Sequence, residues 1–150
     1  MKDMRERRNG TQVLLVEDSP GDVRLTLETF RDTNCAVHLH VVADGMEAMS
    51  FLRREGTNVG APRPDLILLD LNLPKMDGRQ VLALIKEDNG LKTIPTVILT
   101  TSAAEADIVR SYQLQANCYL CKPVDLEVFE NLVKSINDFW LSEAKLPAQN

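Results

Sequence analysis

The chain has 150 residues, enough for one domain that buries a substantial core. Hydrophobic residues make up 44% and charged residues 26%, and the net charge of −5 argues against a nucleic-acid-binding surface, which is usually basic. The opening MKDMRERRNG is basic with no apolar segment behind it, so residues 1–9 read as an N-terminal arm and not a signal peptide. No stretch approaches the length of a membrane span.

QVLLV at 12–16 is an apolar run ended by Glu17 and Asp18. Ser19 is a natural helix N-cap and Pro20 a natural first helical residue, which predicts a helix to Arg31. Residues 37–42 read as a second strand, and Asp44 opens a helix to Glu55. The turn formers in GTNVGAPRP, 56–64, predict a loop before a third strand at 66–69, closed by Asp70. Asp77 or Gly78 starts the next helix, to Asp88, and Pro95 leads into a fourth strand at 96–100. Residues 104–115 are expected to be helical, 117–121 a fifth strand and 125–141 a final helix.

Strand and helix thus alternate five times without a hairpin signal. The expected architecture is α/β, a doubly wound five-stranded parallel sheet with helices on both faces. Strands that are apolar on both sides fit a sheet covered twice. The domain is expected over 10–142, with 143–150 a tail too short for a further domain.

Cys35, Cys118 and Cys121 make no even disulfide framework. Cys118 and Cys121 bracket a strand at odd separation, so their sulfurs diverge, and buried, inert thiols are expected. His38 and His40 share a strand face, but nothing else in the sequence completes a metal pair with them.

The C-terminal ends of the strands carry the chemistry. The first delivers Glu17 and Asp18, the third Asp70, the fourth Thr100, and the fifth leads to Lys122-Pro123. In a doubly wound sheet these ends face one crevice. Crowded carboxylates repel one another and call for a hard dication, for which Mg²⁺ is the chemical expectation. With an ammonium and a hydroxyl added, these are the parts for gripping a phosphoryl group while a carboxylate attacks phosphorus.

LLVEDSPGD, LILLDLNLPKMDG, PTVILTTS and CYLCKPVD together resemble the receiver domain of two-component response regulators, the CheY-like or flavodoxin-like fold of five βα repeats. The VEDSPGD run, the lengthened loop before Pro64 and the short tail are most similar to single-domain regulators paired with cyanobacterial and bacterial phytochromes. The resemblance implies a cytoplasmic phosphoacceptor and not an enzyme, with only self-phosphotransfer and self-dephosphorylation expected. Asp70 would take phosphate from a sensor histidine kinase, here a phytochrome-type photoreceptor kinase. Glu17, Asp18, Asp70 and the backbone carbonyl of Asn72 would hold Mg²⁺. Lys122 and Thr100 would stabilise the phosphoryl group, and Tyr119 would act with Thr100 as the switch. Pro123 matches a position often in the cis form. The signal would pass to a downstream protein or phosphotransfer partner, with no direct nucleic-acid or membrane role.

Some residues depart from the family pattern. Thr101 stands where the family usually has a smaller residue, which would restrict access to Asp70. Asn72 and Ser102 occupy positions that tune dephosphorylation, and the first acid is Glu instead of Asp. Two rival readings fit the residues less well. A haloacid dehalogenase-like phosphohydrolase needs a second Asp two residues after its nucleophile, where this chain has Asn72. A receiver-fold interaction module that no longer phosphorylates would lack the acids or the lysine.

In the last helix, Leu126, Phe129, Val133, Ile136 and Trp140 form a core-facing stripe, and Val128, Leu132 and Phe139 an adjoining one. The second stripe is expected to make a homodimer surface. Polar replacements at Val128 and Phe139 should weaken self-association without unfolding the chain; a parent that sediments strictly as a monomer would remove the idea.

Overall fold

A computed structural model describes residues 10–31 and 37–147; the expected arm at 1–9, Cys35 and residues 148–150 lie outside them. The apolar runs form β1 (Thr11–Val16), β2 (Val37–Val42), β3 (Leu66–Leu69), β4 (Thr96–Thr100) and β5 (Cys118–Cys121). They make one parallel sheet in the order β2-β1-β3-β4-β5. The helices between and after them are α1 (Pro20–Arg31), α2 (Gly45–Arg53), α3 (Gly78–Glu87), α4 (Glu105–Gln113) and α5 (Leu126–Ile136). The doubly wound architecture expected from the alternation is therefore present.

Side-chain alternation along the strands divides the core in two. Leu14, Val16, Ile67, Leu69 and Ile98 pack with α2 and α3 through residues such as Met49, Val81 and Ile85. Val13, Leu15, Leu66, Leu68, Val97 and Leu99 pack on the other face with Phe30 of α1 and Phe129, Val133 and Ile136 of α5. The central strands β3 and β4 are buried throughout, which is why their sequences are unbroken apolar runs. The edge strands β2 and β5 are more open.

Short polar residues start most helices. Ser19 Oγ accepts from Asp22 N (3.4 Å), Asp44 from Glu47 N (2.8 Å) and Asp125 from Val128 N (3.1 Å). Asp77 and Gln80 form a reciprocal capping box at the start of α3. Helix α4 differs: its N-cap, Ala104, makes no side-chain bond, and Ser111 is its one buried residue.

The structure corrects several expectations. The last helix does not run regularly over 125–141. It widens into a π-helical segment, Asn137–Glu143, marked by the bond from Ala144 N to Phe139 O (2.7 Å). The extra residue per turn brings Leu141 into the core, while Trp140 packs half-buried against it. Leu126 is also outside the core, 73% exposed, because the first turn of α5 stands clear of the sheet. In the second stripe, Val128 and Phe139 are exposed and Leu132 is half-buried against the core.

The thiols of Cys118 and Cys121 do point to opposite faces, but they are not both buried. Cys118 is half-buried and Cys121 exposed, as befits an edge strand. Pro123 is not preceded by a cis bond: no cis peptide occurs among the described residues. Trans is the intrinsically preferred isomer, and here the chain leaves β5 with Lys122 N still donating to Thr100 O (2.7 Å).

Two glycines bring the helices against the loop that follows β3. A Cβ on Gly78 would lie 2.1 Å from Asp70 O and 2.6 Å from Leu71 Cα, and one on Gly45 would lie 2.0 Å from Met76 O. Gly78→Ala should therefore force the start of α3 off Asp70, with a loss of about 1–3 kcal/mol in urea unfolding. An unchanged midpoint would show that the close approach is not required.

Candidate functional site

Three ladder bonds carry the sheet one residue past its strands and fix the site. Glu17 N donates to Val42 O (3.0 Å), Asp70 N to Val16 O (3.1 Å) and Lys122 N to Thr100 O (2.7 Å). The backbones of the two acids and the lysine are thus held as firmly as strand residues. Beyond Asp70 the chain turns through Lys75 in the left-handed conformation (φ 64°), and the Lys75 ammonium reaches Asp44 at 3.5 Å. The loop closes where Gly78 N donates to Leu71 O (3.0 Å).

Lys122 is the centre of the site. Its Nζ bonds Glu17 Oε1, Asp22 Oδ2 (3.0 Å) and Asp70 Oδ2 (3.1 Å), and its side chain is only 5% exposed. Glu17 and Asp70 are buried with it, whereas Asp18 is exposed at the rim. Glu17 Oε2 also accepts from Ser19 N (3.1 Å), and Asp70 Oδ1 from Asn72 N (3.1 Å). Carboxylate oxygens of Glu17, Asp18 and Asp70 all lie within 4.8 Å of one another. Such a set of hard oxygen donors fits a small dication.

Burial pushes the Glu17 carboxyl up to about 7; the Lys122 hydrogen bond and charge pull it back, and the charge of Asp70 adds to the rise. For Lys122, burial alone would push the ammonium down. The hydrogen bond and charge of Glu17, helped by Asp22 and Asp70, outweigh it and hold the group above the usual lysine value.

Thr100 is fully buried at the end of β4, and its Oγ1 accepts a long bond from Ser102 N (3.5 Å). Tyr119 packs half-buried against the core on the α2–α3 face, and its hydroxyl donates to Ser102 O (2.9 Å). Thr101 is exposed and Asn72 lies at the surface. The structure therefore joins Glu17, Asp18, Asp70 and Lys122 in one cluster and places Thr100 and Tyr119 beside it, linked through the 101–104 loop.

Asp22 was not singled out from the sequence. Its signal lay within the DSPGD run, in the first turn of α1, but its partner is 100 residues away. Arg79 and Asp107, which join the starts of α3 and α4, were also missed. His38 and His40 do not form a site; His40 pairs with Gln12 (2.7 Å), and its ring lies tilted by 45° against Phe51.

The response regulator receiver domain family matches residues 13–134. The chain belongs to this family. The receiver is 49% identical to response regulator Rcp1 of Synechocystis sp. over 136 residues, covering 91% of this chain and 92% of that protein. Its structure is similar to the Mn²⁺-bound form of Rcp1, with a TM-score of 0.91, 48% identity and coverage of 92% and 99% of the two chains. It is equally similar to the phosphorylated cyanobacterial phytochrome response regulator RcpA: TM-score 0.91, 51% identity, 93% and 99% coverage. No helix among the described residues of the receiver is long and apolar enough to cross a membrane.

Glu17 binds a proton more tightly in the folded receiver than in the unfolded chain. Its contribution to stability is complete below pH 4.5 and is lost as pH rises through about 7. With chelator present, urea unfolding should show stability falling between these limits, and Glu17→Gln should flatten that slope. A Glu17→Gln profile parallel to the parent's would rule out Glu17 as its source.

Proposed function

We propose that the chain is a response regulator whose Asp70 receives a phosphoryl group from the phosphohistidine of a sensor kinase. The observation that carries this reading is the Lys122 ammonium held between Asp70 and the other acids, beside a carboxylate cluster fit for a dication. Phosphorylated RcpA and Mn²⁺-bound Rcp1, both about half identical in sequence, support it.

Asp70 is buried beside the exposed Asp18, and its backbone is pinned by the ladder bond to Val16. One of its carboxylate oxygens attacks phosphorus; the new O–P bond forms as the P–N bond to the kinase imidazole breaks, and the electron pair returns to that nitrogen. Mg²⁺, held by Glu17, Asp18, Asp70 and the Asn72 carbonyl, would neutralise charge on the transferring group. Lys122 is already protonated and within reach of Asp70, so it can move from a carboxylate to a phosphoryl oxygen without waiting for a proton. Thr100 supplies a hydroxyl from the neighbouring strand end. Tyr119, bonded to the loop after Thr100, couples that movement to the outer face of α4 and β5.

The kinase is proposed to be a phytochrome-type photoreceptor, a reading supported by the likeness to RcpA. The domain is taken as 10–142, acting in the cytoplasm. Output would pass to a downstream protein or phosphotransfer partner, without nucleic-acid contact. Self-association through the last helix is supported by the exposure of Val128 (52%) and Phe139 (54%).

Acetyl phosphate with Mg²⁺ should label the parent once per chain, and Asp70→Asn or chelation should abolish the label. Undiminished labelling of Asp70→Asn would overturn the assignment. Sustained turnover of phosphomonoesters would instead favour the phosphohydrolase, and failure to bind beryllofluoride the inert interaction module.

A further inference from the structure

Arg79 and Asp107 form a two-pronged ion pair outside the acid cluster. Arg79 Nε and Nη2 donate in parallel to the two carboxylate oxygens of Asp107, at 2.8 and 2.7 Å. Arg79 Nη1 meanwhile donates to both oxygens of Asp77, each at 3.0 Å. One planar guanidinium thus bridges the N-cap of α3 and the first turn of α4. Two-pronged pairing of this kind fixes orientation as well as distance. Asp107 Oδ2 also accepts from Ser102 Oγ (2.6 Å). Hydrogen bonds from Arg79 and then from Ser102 hold its carboxyl down at about 2.

Both ends of this bridge lead to the phosphoacceptor. At one end, Gly78, the residue before Arg79, packs directly against the Asp70 carbonyl and donates its N–H to Leu71 O (3.0 Å). At the other end, Ser102 follows Thr100 by two residues, donates its N–H to Thr100 Oγ1, and accepts the Tyr119 hydroxyl at its carbonyl. Helix α4 buries only Ser111 and its N-cap makes no side-chain bond; its other tie to the sheet is Tyr112, whose hydroxyl oxygen accepts from Tyr119 N (3.2 Å).

We propose that Arg79 and Asp107 are positioning residues for the phosphotransfer, a clamp that holds the 101–104 loop and Tyr119 in place for a phosphoryl group on Asp70. The inference rests on the function proposed above. The clamp acts through Ser102 and touches no reacting atom. With it closed, Thr100 and Tyr119 are ordered before the ligand arrives; with it open, binding must supply that order and weakens accordingly.

The test measures beryllofluoride affinity in Mg²⁺ for the parent, Asp107→Asn, Arg79→Gln and the double variant. Asp107→Asn keeps an oxygen for Ser102 while removing the two-pronged charge pair. Each single variant should bind roughly five- to tenfold more weakly, and the double variant no worse than either single one. Arg79→Lys, which keeps the charge but not the fork, should fall between. Fluorine NMR of 3-fluorotyrosine at position 119 should show the ring released in the same order, while acetyl phosphate still labels Asp70 once per chain. Parental affinity and an unmoved Tyr119 signal in the single variants, with labelling intact, would overturn the clamp and leave the Asp70 assignment standing. Additive losses in the double variant, or a Tyr119 signal that moves only as the fold melts, would also overturn it. A parent that neither labels nor binds beryllofluoride would overturn the underlying function and the clamp with it.

Discussion

A lysine buried to 5% exposure among Glu17, Asp22 and Asp70 is the constraint on which the site depends. Removing an ammonium from water costs several kcal/mol, and only well-placed anions repay it. The same is true in reverse of Glu17 and Asp70, which are themselves buried. Neither side of the cluster is stable alone, so each requires the sheet to deliver the other. That is the reason the ladder bonds at Glu17, Asp70 and Lys122 matter: they convert strand pairing into the placement of charge.

The helices then determine how tightly the site is enclosed. Gly45 and Gly78 let α2 and α3 approach the loop after Asp70 at distances no side chain allows. On the opposite side, α4 is held by few buried groups and by polar contacts at its first turn. The receiver is therefore closely packed on the α3 side of Asp70 and buries less on the α4 side. Such asymmetry suits a switch, because a small local change has one soft direction in which to propagate.

Most of the fold was legible because β1, β3 and β4 are covered on both faces and need unbroken apolar runs. Helix starts were legible from Ser19, Asp44 and Asp77, whose short side chains cap them. Asp70, Glu17, Asp18 and Lys122 could be read because each stands where a strand stops. What escaped has no local pattern. Asp22 meets Lys122 across 100 residues, and Arg79 meets Asp107 across 28. The stripe in α5 was extended with a regular helical period, and a π-helical turn at Asn137 breaks that period. The isomer of the Lys122–Pro123 bond is a choice of the whole fold, which the dipeptide does not encode.

The strand order places β1 between β2 and β3, while β5 lies at the far edge. Glu17 follows the first strand in the chain and Lys122 the last, 105 residues apart. During synthesis, both buried acids emerge long before their counter-ion, and β5 is the last strand available to pair. A nascent chain stopped before Lys122, or a fragment cleaved after α4, would keep Asp70 but lack the cation that makes its burial tolerable. The arrangement thus ties the burial of both acids to the completion of the last strand.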